Sequence, residues 1–461
     1  MRSLVIPVAA LAFLAVACSG SDGDSTPDTQ EDVAATNETP ATEPPATEPP
    51  APEPPASEPA ATDVPATEPP ATEPPATDVP TIDAGTGDPS TLVEQLASDE
   101  LNGRNNGTDG STAARELLLS ELVDVLEPAR PDAAGDDGFL QPYDEGTNII
   151  GLLPGRGDLA DEYVLIGAHY DHLGPGECDD RGVTDDEICN GAADNAAGVA
   201  AVVSIIETVD AAYIQESSDG DESDRRSIIV GLWDGEEDGL VGSEVYVGDP
   251  LIPLEQTVAY VNFDIQGAQL TPELANTTIL VGPETGGEAL VDAAGRATDA
   301  STLDYATLSL IFGQGRSDHA SLVAGGVPSV FFTDANNGCY HTVLDDVDHV
   351  DDDKLDLQIA TAQTLVDDLL TTQTPPTFVS DTPLTTYDDA VAMLDVVARA
   401  EPDFAILAGD GPATSAQFLV DLHAIVDAGA AAYDDAASGA ILGGSAALID
   451  GLANSECTLP V

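Results

Sequence analysis

The sequence predicts an α/β domain, a sheet with helices on its faces, between a disordered N-terminal stretch and a helical C-terminal segment. Two observations carry this. Short apolar runs of strand length alternate with longer segments whose apolar residues recur every three to four positions, the pattern of a helix-covered sheet. In addition, 461 residues with 42% hydrophobic content suffice for a sizeable core.

In chain order, Arg2 precedes an apolar run from Leu4 to Leu14 that is too short to span a bilayer and ends in Ala15-Val16-Ala17-Cys18. Residues 1–17 read as a lipoprotein signal peptide, with Cys18 the acylated first residue after cleavage. An ordinary secretory signal is the alternative, and both readings export the protein. Residues 18–89 repeat Ala-Thr-Glu-Pro-Pro and Ala-Thr-Asp-Val-Pro and hold about half of the 34 prolines. Such a segment has no core to bury; it favours extended polyproline II and acts as a spacer.

Residues 90–373 carry the predicted sheet. Strands are expected at Tyr163 to Ala168, Ser227 to Trp233, Thr257 to Phe263, Thr278 to Val281 and Val327 to Phe332, and helices at Ala196 to Val209 and Leu355 to Leu370. After a Thr/Pro-rich connector, residues 378–461 read as a helical extension, with helices at Tyr387 to Arg399 and Ser415 to Ala432 and a Gly/Ala-rich tail.

Twelve Lys and Arg stand against 85 Asp and Glu, a net charge of −73, which excludes nucleic acid as a partner. Lys354 is the only lysine. The aliphatic runs argue against global disorder, so the acidity reads as surface charge that keeps a folded protein soluble. With Cys18 assigned to lipid, Cys178, Cys189, Cys339 and Cys457 remain, an even number suited to disulfides outside the cytoplasm. Cys178 and Cys189 bracket one polar loop, which favours pairing them and leaves Cys339 for Cys457.

Three expected strands run into residues with useful chemistry: His169 after the first, Glu236-Glu237 after the second, Asp264 after the third. Sites form at the carboxyl ends of strands in open α/β sheets. Zinc takes imidazole nitrogen and carboxylate oxygen, and a pair of zinc ions needs one ligand able to bridge them, which a carboxylate is and an imidazole is not. Such a site wants two terminal histidines, two terminal carboxylates, one bridging carboxylate and one free carboxylate, an inventory the chain offers at its strand ends, with His169 and His341 the histidines flanked by acids in this arrangement.

The ordered motifs His169-Tyr-Asp171, Asn190-Gly-Ala-Ala-Asp194-Asn-Ala-Ala-Gly198, Trp233-Asp-Gly-Glu236-Glu237, Asn262-Phe-Asp264, Ser317-Asp-His319 and Tyr340-His341-Thr342 resemble the co-catalytic dizinc exopeptidases. That family includes bacterial leucyl and aminoacyl aminopeptidases and shares a superfamily with glutamate carboxypeptidase and glutaminyl cyclase. Leu96 to Arg104 and Gly107-Thr108 extend the resemblance to the start of the domain.

The resemblance implies the zinc-exopeptidase (phosphorylase/hydrolase-like) fold, a three-layer α/β sandwich with a central mixed, mostly parallel sheet. It implies two zinc ions per domain, His169 and Asp264 on one, Glu237 and His341 on the other, and Asp194 bridging. Asp171 is then the residue that orients His169, Glu236 the general base, and Tyr340 a hydrogen-bond donor to the oxyanion. The expected activity is removal of N-terminal residues from peptide substrates by a zinc metallo-exopeptidase, anchored outside the cytoplasm by lipid.

Small departures leave ligands and base intact: Ala193 stands where a second Asp is common, Val343 where Pro often follows His-Thr, and Asp346 where Thr is usual. Pro175 to Ile188 form an acidic insertion, read as a solvated, disulfide-closed flap; calcium there has no support beyond its charge. Asp345 and Asp348 match family positions. A carboxypeptidase or dipeptidase is the runner-up, with Arg316 the one nearby motif arginine, and a non-catalytic binding domain is the reading from another class.

Overall fold

The computed structural model describes residues 88–179, 182, 187–221 and 223–457. The expected signal peptide, Cys18 and the repeats lie outside these residues. Nine strands form one mixed sheet: β1 (Glu127–Pro128), β2 (Leu140–Pro142), β3 (Thr147–Leu153), β4 (Tyr163–His169), β5 (Ser227–Trp233), β6 (Thr257–Phe263), β7 (Thr277–Val281), β8 (Asp304–Leu308) and β9 (Ser329–Thr333). Their order is β1-β3-β5-β4-β6-β9-β7-β8, with β2 also paired to β3. The central strands β5, β4, β6 and β9 are mutually parallel, while β3 and β7 run antiparallel to their inner neighbours. This is the expected mixed, mostly parallel sheet.

The parallel strands are apolar almost throughout because both faces are covered; every residue of β5 is buried. The helices are α1 (Pro89–Leu96), α2 (Asp109–Leu122), α3 (Ala197–Asp219), α4 (Val241–Gly248), α5 (Gly287–Ala300), α6 (His319–Ala324), α7 (Asp352–Thr371), α8 (Tyr387–Arg399), α9 (Gly411–Ala428) and α10 (Asp435–Ala453). One face of the sheet packs with α1, α2, α3 and α7 in the main apolar core. The other gathers Ile150, Leu165, Ile229, Trp233 and Tyr260 against Tyr246 of α4 and Leu322 of α6.

The C-terminal segment differs from expectation in two places. The helix expected to reach Ala432 ends at Ala428, where Gly429 takes φ 81°. The supposed Gly/Ala tail contains α10, started by the Asp434 side chain accepting from the backbone N–H groups of Ala436 and Ala437. Helices α8, α9 and α10 share an apolar cluster that also takes in Leu270, Leu274 and Leu308 from the sheet side. Asp389 of α8 completes a capping box and accepts from the backbone N–H and hydroxyl of Ser309, just beyond β8.

Candidate metal centre

The parallel register sets the carboxyl ends of β4, β5 and β6 side by side: His169 pairs with Trp233, and Gly167 with Asn262. His169 ends the middle strand, the loop after β5 brings Glu236 and Glu237, and Asp264 follows β6. Asp194 arrives from the turn between β4 and α3, and His341 from the loop after β9. The structure brings all five expected ligands and Glu236 together.

Asp194 is central. One carboxylate oxygen lies 3.3 Å from His169 Nε2 and the other 3.4 Å from His341 Nε2. Asp264 Oδ1 is 3.4 Å from His169 Nε2, and Glu237 Oε2 is 3.1 Å from His341 Nε2. Both histidine Nε2 atoms are buried and have no hydrogen-bond partner among the described residues. Unpartnered imidazole nitrogens facing carboxylate oxygens suit a cation, because burial makes an unmet polar atom costly. His169, Glu236 and Asp264 form one group able to hold a metal ion; His172, Asp194 and Glu237 form another.

Glu236 Oε2 is 4.0 Å from His169 Nε2, so by position alone it is within reach of an ion as well as of a water. Burial, with Asp264 and Glu237 adding repulsion and His169 opposing, raises its pKa well above the usual range. Burial also disfavours charge on Asp194, yet the facing His169 and His341 imidazoles outweigh it and hold its pKa well below normal.

The loops are pinned from behind. The Asp171 carboxylate accepts from the backbone N–H groups of Glu236 (3.1 Å) and Glu237 (3.3 Å). Its contact with His169 Nδ1 is longer, 3.7 Å, while its own backbone carbonyl lies 3.1 Å from that nitrogen. Asp171 therefore meets His169 Nδ1 with its backbone carbonyl, while its side chain fixes the paired glutamates. Asp345 does the same for the Asp194 turn, accepting from the N–H groups of Ala193 (2.9 Å) and Asp194 (3.1 Å). His349 Nδ1 is 2.9 Å from Asp345, its Nε2 2.9 Å from Asn337 Nδ2, and Asn337 Oδ1 accepts from the backbone of Cys339. One buried line thus joins the Asp194 turn to the His341 loop.

Gly191 is needed here: its φ is 58°, and a Cβ would meet Asp194 O at 2.3 Å and His172 Cγ at 2.4 Å. Arg104, from the first motif, is buried and donates to the carbonyls of Leu96, Tyr170, Asn190 and Gly191. One guanidinium thereby holds the backbone beside His169 and the backbone ahead of Asp194. Burial lowers its pKa to about 10, opposed by the carboxylates of Asp171, Asp345, Asp194 and Glu237, so it stays cationic at neutral pH.

Tyr340 lines the cleft with the carboxylates. Its ring stacks on His341, centroids 3.8 Å apart, and burial keeps its hydroxyl protonated. Arg316 lies exposed on the same cleft. Asp348 is exposed in the short helical turn that also holds His349.

Both expected disulfides are present, Cys178–Cys189 and Cys339–Cys457. The first closes the acidic insertion, whose residues 180–181 and 183–186 lie outside the described ones. Asp179 beside it donates its N–H to His341 O and accepts from Val343 N, tying that loop to the His341 loop.

Sequence reasoning passed over His172. It is fully buried, with Nδ1 2.8 Å from Glu237 Oε1 and its ring edge-on to His341 at 5.9 Å. The spacing His169-x-x-His172 was its only signal. His319, by contrast, stacks on Phe331 at 4.5 Å, and burial pushes its pKa down to about 3.

Residues 148–366 match the family model of Peptidase family M28. A vacuolar membrane protease of Pyrenophora tritici-repentis is 29% identical over 184 residues, 37% of this chain and 17% of that protein. Aminopeptidase NAALADL1 of Rattus norvegicus is 28% identical over 278 residues, 53% of this chain and 34% of that protein. The chain thus spans well under two thirds of the length of these relatives. BSAP, a zinc aminopeptidase from Bacillus subtilis, aligns with TM-score 0.47 and 12% identity over 66% of this chain and 100% of that one. The family match takes in every candidate ligand and Glu236.

Proposed function

We propose that the chain is a zinc aminopeptidase holding two ions, one on His169 and Asp264, the other on Glu237 and His341, with Asp194 between them. The observation that carries this is the pair of Asp194 oxygens facing two unpartnered histidine nitrogens at 3.3 and 3.4 Å. When bound, such ions polarise the scissile carbonyl and lower the pKa of water.

The chain's own groups supply the rest. Glu236, with its raised pKa, takes a proton from the attacking water and returns it to the leaving amine. The Tyr340 hydroxyl donates a hydrogen bond where negative charge develops on the carbonyl oxygen. Asp194, Glu236, Glu237 and Asp264 make the cleft anionic, which suits a free α-ammonium group. Arg316 on the same cleft is the feature that favours a carboxypeptidase or dipeptidase instead.

The export signal, the two disulfides and the name of the vacuolar membrane relatives support an extracytoplasmic, lipid-anchored enzyme. The full chain is expected to hydrolyse aminoacyl-p-nitroanilides and to lose that activity with chelator. Activity should sediment with membranes and become soluble in Cys18→Ser. Cleavage restricted to peptides with a blocked N-terminus and free C-terminus would replace the aminopeptidase with the carboxypeptidase.

A further inference from the structure

His172 is fully buried, and both of its ring nitrogens lack a hydrogen-bond partner among the described residues. Burial makes such unmet atoms costly, so each calls for a reason. His319 is as buried and as unmet, but its ring stacks on Phe331 at 4.5 Å, the setting of a packing residue. His172 stands elsewhere: its Nδ1 lies 2.8 Å from Glu237 Oε1, an oxygen that is itself buried and without a hydrogen bond of good geometry.

The fold reserves this place for a ring. A Cβ on Gly191 would meet Cγ and Cδ2 of His172 at 2.4 and 2.5 Å, so glycine there leaves the space that the imidazole fills. The two oxygens of Glu237 are thereby divided: Oε1 faces His172, and Oε2 faces His341 Nε2 at 3.1 Å.

We propose that His172 is a positioning residue for the ion assigned to Glu237 and His341: its Nδ1 occupies one oxygen of Glu237 and leaves the other to the metal. The proposal rests on the dizinc reading. Nδ1 carries the proton in this arrangement, because a carboxylate oxygen only accepts. A glutamate confined to one oxygen keeps a coordination position free, and a catalytic zinc needs an open position for water or substrate. Partners that orient a ligating carboxylate in this way are worth about ten- to a hundredfold in metal affinity.

The test is the zinc affinity of each of the two ions in the full-length chain, read by chelator competition, for wild type, His172→Leu and His172→Asn. Leucine fills the ring's space without an N–H, whereas asparagine places an N–H where Nδ1 stood. His172→Leu is expected to weaken one ion by about tenfold or more and leave the other unchanged, and His172→Asn to recover most of the loss. In His341→Ala, which is expected to keep only the ion on His169 and Asp264, adding His172→Leu should change nothing further. If His172→Leu does not fold, His172→Gln takes its place; its amide reaches the Nε2 position instead of Nδ1, so it should hold the second ion more weakly than His172→Asn does. Equal weakening of both ions, no weakening in a folded variant, or His172→Gln binding as tightly as His172→Asn overturns the positioning role and leaves the two-ion centre intact. His172, Asp194 and Glu237 offer polar atoms within 4.8 Å of one another, so the ring could also bind the ion directly; outright loss of one ion in both His172→Leu and His172→Asn would make His172 a ligand and overturn the proposal as well. Fewer than two ions in wild type defeats the dizinc reading itself, and the role of His172 with it.

Discussion

Glu236→Gln is expected to lower kcat by about a thousandfold, the range for removing a general base, while the purified protein keeps its full metal content. The amide has the shape of the carboxylate but accepts no proton at neutral pH. Glu236 lies 4.0 Å from His169 Nε2, so its position allows two roles, ligand or base. The substitution separates them. Loss of one ion along with activity would make Glu236 a ligand; retention of both ions with lost turnover makes it the base. Substrate binding should change far less than kcat, because the proton moves only in the chemical step.

Arg104→Met is expected to destabilise the fold by about 3 kcal/mol or more, since four buried backbone carbonyls lose their donors. The thioether fills part of the space but offers no hydrogen. The carbonyls of Tyr170, Asn190 and Gly191 flank His169 and Asp194, so metal affinity should fall with stability. Calorimetry with and without added zinc reads both. Arg104→Lys should recover part of the stability, because an ammonium keeps the charge but not the four-way fork. A variant that melts like wild type would show that water satisfies these carbonyls.

The central strands were legible because β4, β5 and β6 are continuous apolar runs that stop at the residues forming the site. Strand β3 was missed: Asn148 sits inside it, buried, bonding to Gln141 and Gly242. The last helix was missed because Ala and Gly carry little periodic signal; Ile441, Leu448 and Leu452 mark its packed face only once the partner helices are known.

The candidate ligands were legible as motifs, yet their support was not. Asp345, His349 and Asn337 meet the Asp194 turn from far along the chain, and a contact across about 150 residues leaves no local pattern. His172 shares a motif with His169, but only the fold shows that its ring turns towards Glu237. Asp171 gained a second task for the same reason, because the backbone N–H groups it accepts belong to another strand's loop.

The measurement closest to the central claim is the metal content of full-length protein purified without chelators and dialysed against metal-free buffer. Two zinc ions per chain are expected, with His341→Ala retaining about one. A wild-type content at or near zero, under conditions where the protein is folded, would contradict a dizinc centre built around Asp194.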